Sequence, residues 1–232
     1  QDMLIARFSE MFEPGCHLHL ASVKGNDEDR ATVRYLEDCA AQAGIIPHFV
    51  AVEDIGLDGQ GRFADLNSIV IDALFKLYPW EDMFKEEYGA ALPSAPTQFI
   101  EPPWKAVLSN KAILPLLWEM FPGHPNLLPA WFEGEAPQDA IEKPHVRKPF
   151  FSREGANITI YGVGDEVIST PGSYGEEGHI IQTYTPPARF GTDHAMIGSW
   201  LIGNTASGLC IREDRSQVTQ DLSRFVPHLI LG

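Results

Sequence analysis

Apolar and polar residues along the first third of the chain predict two helices that alternate with two strands. Apolar positions at helical spacing cover residues 3–12, and a continuous apolar run at 18–23 reads as a strand. A second helix is predicted from Asn26, which offers a cap, to the stop signal at Gly44. Another apolar run at 45–52 completes a strand, helix, strand unit, which is typical of a parallel pair in an α/β layer.

Residues 58–104 combine turn, strand, helix and proline-rich signals and suggest a boundary between two subdomains. Residues 58–61 predict a hairpin turn, 68–78 a strand and 80–88 a helix. Residues 92–104 contain four prolines, too many for a regular element, so a linker is expected there. We therefore expect an α/β subdomain over 1–92 and a second portion over 105–232.

Strand signals dominate the second half after one short helix at 110–120. Residues 145–160 predict a strand, a turn and a strand, with Arg147, Lys148 and Arg153 as cations at the strand end and turn. Further strands are expected at 167–169, 179–184, 196–202 and 206–211. The predicted fold class is α+β, with an α/β first third and an antiparallel β-rich second half.

Composition narrows the classes of partner. The 232 residues are 44% hydrophobic and carry a formal net charge of -15 with a pI near 4.8. An acidic chain lacks the basic surface that sequence-independent binding to nucleic acid or anionic membranes requires. We expect no nucleic-acid or membrane partner. No apolar run is long enough to span a bilayer, and no signal-peptide pattern opens the chain, so a cytoplasmic location is expected.

The histidines and cysteines give little indication of a metal site or of disulfide bonds. His17 and His19 alternate with apolar residues, and without a third ligand nearby we interpret them as strand-face residues rather than metal ligands. The three widely spaced cysteines, with no CxxC pair, indicate reduced thiols.

Three features together indicate a site for a polyanion such as a nucleoside triphosphate. Lys148 ends a predicted strand, Lys111 lies near a helix start, and residues 172–178 form a glycine-rich loop. The loop is either a hairpin tip that folds over phosphates or a plain turn, since it matches neither a P-loop nor a dinucleotide fingerprint. Strand residues Gln182 to Tyr184 would offer backbone groups to an adenine edge. The alternative is a structural hairpin whose cations pair with Glu154, and a solvated lysine at 111.

Seven motifs follow one another along the chain: Lys111 to Trp118, Val146 to Pro149, Ser152 to Asn157, Gly172 to Gly175, Gln182 to Tyr184, Ile197 to Trp200 and Gly208 to Glu213. In this order they resemble the C-terminal synthetase domain of the glutathionylspermidine synthase family, and the resemblance covers essentially the whole chain. It implies an ATP-grasp fold and an ATP-dependent carboxylate–amine ligase that forms an amide bond through an acyl phosphate, with a small-molecule or peptide carboxylate and an amine as substrates.

The resemblance also assigns roles. It implies that Lys111 and Lys148 contact ATP, and that Gln182 and Tyr184 form the adenine hinge. Arg153 and Arg212 would face the phosphoryl group and the acyl phosphate. The loop at 172–178 would cover the phosphates, through Gly172, Ser173, Tyr174 and Gly175.

Magnesium is the point of departure from the family pattern. The family holds Mg²⁺ with acidic and amide residues upstream of the matched region, and no counterpart precedes Lys111. Because the chain starts at Gln1 and not at Met, we expect these metal ligands before Gln1. Two alternatives therefore stay open: a homologue or fragment that binds ATP without turnover, and an acidic interaction domain whose cations are structural.

Overall fold

The computed structural model describes residues 1–230, which divide into two compact units. Unit 1 comprises Gln1–Ala106 and Leu201–Ser207, and unit 2 comprises Val107–Trp200 and the chain from Gly208 onward. The sequence boundaries at 92 and 105 stay a prediction.

Unit 1 is a mixed α/β unit in which one sheet dominates. Its elements in chain order are α1 (Asp2–Met11), β1 (His17–Ser22), α2 (Asp27–Gln42), β2 (Ile46–Ala51), a 3-10 turn (Val52–Asp54), β3 (Gly56–Leu57), β4 (Phe63–Ala64), β5 (Ala73–Leu77), α3 (Trp80–Met83), a 3-10 helix (Gly89–Ser94), β6 (Gln98–Ile100) and a 3-10 turn (Pro103–Lys105).

The main sheet of unit 1 is parallel and has the order β2-β1-β5-β6. β1 is central, and five of its six residues are buried, as expected for a strand covered on both faces. One face packs against α1 and α2 in a cluster that contains Phe8, Leu18, Leu20, Val33 and Leu36. The predicted strand, helix, strand unit with its parallel pair is confirmed.

α2 begins where the sequence predicts. The side chain of Asn26 accepts a hydrogen bond from the backbone N–H of Asp29 at 3.0 Å, which satisfies one of the free donors of the first turn. The helix ends before Gly44, whose φ of 82° lies in the left-handed region that glycine tolerates. The predicted face is buried and consists of Val33, Leu36, Cys39 and Ala40.

Three predictions for unit 1 need correction. The proline-rich segment 92–104 is not simply a linker: β6 (Gln98–Ile100) occupies its proline-free centre and pairs with β5. Parallel pairing there overrides the local composition, because the prolines lie outside the paired residues. The predicted strand 68–78 and helix 80–88 are also too long, since β5 covers Ala73–Leu77 and α3 is a single turn.

Histidines cluster on one face of this sheet. The ring nitrogens Nδ1 of His17 and Nε2 of His48 lie 2.6 Å apart, and the rings of His19 and His48 stack. His19 is almost fully buried. Cys16, Cys39 and Cys210 are free thiols.

Unit 2 is mainly antiparallel. Its elements in chain order, after α4 (Ala106–Ser109) at the change of unit, are α5 (Ile113–Met120), β7 (Ala130–Phe132), α6 (Gln138–Ile141), β8 (His145–Pro149), β9 (Thr159–Tyr161), β10 (Ile168–Ser169), β11 (His179–Thr183), β12 (Ala188–Phe190), β13 (Asp193–Ile202), β14 (Thr205–Asp214) and β15 (Arg224–Val226).

The five-stranded sheet of unit 2 has the order β10-β9-β8-β11-β7 and is antiparallel throughout. Lys148 is paired with Ile180, and Val146 lies between Ile160 and Gln182. Paired residues share a face of a sheet. Lys148 and Gln182 therefore lie on the face that carries the apolar cluster of Val146, Ile158, Ile160 and Val218.

The glycine-rich loop is not a hairpin tip. It joins β10 to β11, which are separated in the sheet by β9 and β8. The loop must therefore cross the end of the sheet, which brings it close to the turn between β8 and β9. Local sequence cannot reveal this, because strand order depends on non-local pairing.

A second sheet in the order β12-β13-β14-β15 follows, as the late strand signals predict. None of its four strands has a buried residue. Across residues 1–230, no helix has the length and apolar character that crossing a membrane requires.

Candidate functional site

The turn between β8 and β9 is the centre of the candidate site, and its backbone is unusual. Glu154, Gly155 and Asn157 have φ values of 53°, 71° and 54°, in the left-handed region. A side chain at Gly155 would place Cβ 2.4 Å from the carbonyl oxygen of Thr219, so only glycine fits this close approach. The turn is thus held tightly against the segment after β14.

Lys148 lies on β8, one residue before the strand ends. Its ammonium donates to Oε1 of Gln182 at 2.6 Å, and its partial burial lowers the pKa of the side chain. No carboxylate of residues 1–230 forms an ion pair with it. Desolvation without a negative partner disfavours the charged form of Lys148. An anionic ligand would supply that partner and favour the charged form.

Lys111 lies just before α5 and reaches the same strand end. Its backbone N–H donates to the carbonyl oxygen of Phe150, and its ammonium donates to that of Ser152, both at 2.8 Å. The structure therefore brings the two predicted lysines to one short segment, although they are 37 positions apart in sequence (148 − 111).

A cavity of about 520 Å³ opens beside the turn. Arg153 and Tyr174, both predicted from sequence, line it together with Gly155, Thr170 and residues of the segment after β14. Asp214 and Asp221 are also in the wall, so the cavity presents both signs of charge. Hydrogen bonds from Ser223 and the backbone of Ser216 lower the pKa of Asp214, which keeps it ionised.

Arg212 has partners within the protein. Its Nη2 donates to the backbone carbonyls of Gln220 and Asp221 at 2.5 and 2.8 Å, and its guanidinium lies 5.1 Å from the ring centre of Phe225. This arginine therefore holds the segment that forms one wall of the cavity. Its role toward a phosphoryl group stays a prediction.

The predicted adenine hinge also has internal partners. Gln182 uses its side chain to hold Lys148, and the hydroxyl of Tyr184 donates to Oε1 of Gln217. The backbone N–H groups of Thr183 and Tyr184 donate to the carbonyls of Pro129 and Pro144. A hinge at these positions would have to use other atoms, and it stays a prediction.

Arg147 forms an ion pair within the protein, which supports the alternative interpretation that this cation is structural. It forms a two-point ion pair with Glu133, with Nε 2.6 Å from Oε1, and lowers the pKa of that carboxyl through its hydrogen bond and charge. The partner is Glu133, which directly follows β7, and not Glu154. Its side chain is on the opposite face from Lys148.

The glycine loop contacts the turn through a residue to which no role was assigned. Nδ2 of Asn157 donates to the carbonyl oxygen of Gly172, and its Oδ1 accepts from the N–H of Tyr174. Thr170 adds a bond from its hydroxyl to the carbonyl of Gly155. The sequence signal for this position was the residue type alone, because asparagine tolerates the left-handed region better than most residues.

Comparison with known protein families identifies the family of this chain. A family model described as glutathionylspermidine synthase preATP-grasp matches residues 1–231, and the chain belongs to this family.

Individual relatives are longer than this chain. A Haemophilus influenzae protein with the provisional name acid–amine ligase is 42% identical over 219 residues, which cover 90% of this chain and 55% of the relative. A trypanothione synthetase of Crithidia fasciculata is 28% identical, with 85% of this chain and 34% of the relative covered. A bifunctional glutathionylspermidine synthetase/amidase of Escherichia coli is 24% identical, with 88% and 37% covered. The chain thus spans about half of the first relative and about a third of the others.

Proposed function

We propose that this chain is the nucleotide-binding part of an ATP-dependent ligase that joins a carboxylate to an amine. Support comes from the family membership and from the relatives, which are named as ligases or synthetases. The mixed fold with an antiparallel second half is compatible with an ATP-grasp fold, which is part of this proposal. The portion after residue 105 would hold the nucleotide.

The setting of Lys148 is the observation that carries the proposal. An ammonium that is partly buried and paired only with a neutral amide is an incomplete electrostatic site. A triphosphate oxygen would supply the missing negative charge. Lys111, bound to the same strand end, and Arg153, in the lining of the adjacent cavity, would provide further positive charge along a phosphate chain.

These residues suit phosphoryl transfer to a carboxylate. ATP, when bound, would transfer its terminal phosphoryl group to the carboxylate, giving an acyl phosphate and ADP. An amine would then attack the acyl carbon, forming the amide bond and displacing phosphate. Fixed cations lower the barrier because charge spreads over the phosphoryl oxygens in the transition state. In this proposal Lys148 and Lys111 bind and orient the nucleotide, while Arg153, and Arg212 as predicted, face the transferred group.

No magnesium site is proposed among the described residues. Within the described range 1–230, no three His, Cys, Asp or Glu side chains are placed to hold a metal ion. We therefore route no step through Mg²⁺, which the family uses with ATP.

A thermal-shift titration with ATP and magnesium tests the proposal. A ligand that binds only the folded state raises the melting temperature in proportion to the logarithm of its concentration. We expect a shift in the wild type, none in Lys148→Ala, and a normal shift in Lys143→Ala. Lys143 is a suitable control because its exposed side chain pairs with Asp139 on the surface. Equal shifts in all three proteins, or none in the wild type, would overturn the proposal.

Binding without turnover is the second candidate. ADP release in the presence of Mg²⁺ separates the two candidates. The assay would include carboxylate and amine compounds such as glutathione and spermidine, which the relatives' names suggest. Release above the ATP-only background supports the ligase, and a thermal shift without release supports the binding protein.

A further inference from the structure

The amide side chain of Asn157 makes two of the hydrogen bonds between the turn and the glycine loop. Asn157 donates to the carbonyl oxygen of Gly172 at 3.0 Å and accepts from the N–H of Tyr174 at 2.8 Å. Its own backbone N–H donates to the carbonyl of Pro171 at 3.3 Å. The donor and the acceptor of the amide are both used on one short stretch of loop, so the side chain fixes the position and the direction of that stretch.

On the loop side, the contact requires a residue without a side chain at position 172. A Cβ at Gly172 would lie 2.1 Å from Oδ1 of Asn157, so the amide can approach only because residue 172 is glycine. Asn157 itself has a φ of 54°, which asparagine tolerates better than most residues. The two residues thus form a matched pair across 15 positions of sequence.

The contact joins two walls of the cavity. Arg153 and Gly155 belong to the turn, and Tyr174 belongs to the loop, and all three line the cavity. The first half of the loop, Gly172 to Gly175, has no acidic residue, whereas Glu176 and Glu177 in the second half carry the same sign of charge as a phosphate. Asn157 contacts this first half.

We propose that Asn157 is a positioning residue that holds Gly172 to Gly175 in place to receive the phosphate groups of the bound nucleotide. This inference rests on the proposed function, since it concerns the same site. Asn157 itself does not contact the reacting atoms; it acts through the loop. Its removal therefore weakens binding in proportion to how many phosphates the ligand presents.

The test compares ATP with AMP, since a purely structural role for Asn157 would affect both alike. Asn157→Gly deletes the amide and keeps the left-handed backbone free of strain. Gly172→Ala disrupts the same contact from the loop side, because its Cβ would clash with the Asn157 amide. Asn126→Gly removes an exposed amide elsewhere in unit 2 and serves as the control. Affinities come from calorimetry with magnesium, and the hydrogen exchange of the Tyr174 amide reports the contact directly.

We expect both variants to bind ATP about tenfold more weakly, because two hydrogen bonds are lost, and to bind AMP with unchanged affinity. Exchange at Tyr174 becomes faster in both, and Asn126→Gly matches the wild type. Equal losses for ATP and AMP, or faster exchange with unchanged ATP affinity, would overturn the inference and leave the proposed function standing. A wild type that binds no nucleotide would remove both.

Discussion

The ammonium of Lys148 lies 2.6 Å from Oε1 of Gln182, and this bond crosses from β8 to β11 on the apolar face of the sheet. Gln182 is buried, so its amide has little access to water. The two side chains therefore depend on one another: the lysine has a neutral acceptor, and the amide oxygen has a charged donor. This mutual dependence leads to the first two predictions.

Replacing Gln182 by leucine should destabilise the fold by about 1–3 kcal/mol, because the ammonium of Lys148 loses its acceptor in a partly buried position. In a Lys148→Met background the same change should cost clearly less, since no ammonium is then left unpaired. Urea unfolding of the two single variants and the double variant measures this coupling. Strictly additive losses would contradict the dependence of one side chain on the other.

Alkaline pH should stabilise the wild type relative to Lys148→Met. Burial lowers the pKa of Lys148 from its usual 10.5, so between the folded-state pKa and 10.5 the unfolded chain binds more protons than the folded one. The free energy of unfolding then rises with pH across that window. The measurement is the wild-type minus variant difference in urea unfolding between neutral pH and about pH 10, close to the unfolded lysine pKa. A flat difference would mean that the lysine titrates normally.

Alanine at Gly155 should be far more damaging than alanine at Gly164. Both glycines have a left-handed φ, 71° and 73°, but nothing lies within 4 Å of a Cβ at Gly164. Gly164→Ala should therefore cost about 1–2 kcal/mol for the backbone alone. Gly155→Ala should cost about 1–3 kcal/mol more, because its Cβ meets Thr219 and Val218. Similar unfolding midpoints for the two variants would contradict the close packing of the turn.

The cap of α2 gives a prediction independent of the site. Asn26→Ala should lower the stability by about 1 kcal/mol, since the N–H of Asp29 loses its acceptor. Asn26→Ser, which keeps a side-chain oxygen, should lose much less. Thermal unfolding followed by circular dichroism checks both variants. A full loss in the serine variant would indicate that the amide matters for some reason other than capping.

The candidate site was partly predictable from sequence. The types and positions of Lys148, Lys111 and the glycine loop indicated a polyanion site, and the structure brings the two lysines to one strand end. Asn157 and Thr170 received no role, because their partners are the backbone of a loop that local patterns cannot place. The internal partners of Arg212 and Tyr184 were missed for the same reason.

Local sequence signals specify three elements of this protein: the capped helix α2, the parallel pair β1 and β2, and the strand–turn–strand around Gly155. Their signals are short-range, since they come from apolar periodicity, capping residues and turn glycines. Non-local pairing in the tertiary structure sets which strands are neighbours and allows β6 to form between prolines. The same pairing carries the glycine loop past two strands to Asn157. It also decided that Lys148 meets Gln182 and that Arg147 meets Glu133. These pairings join distant residues, and they depend on sheet register and burial, which no local stretch of sequence encodes.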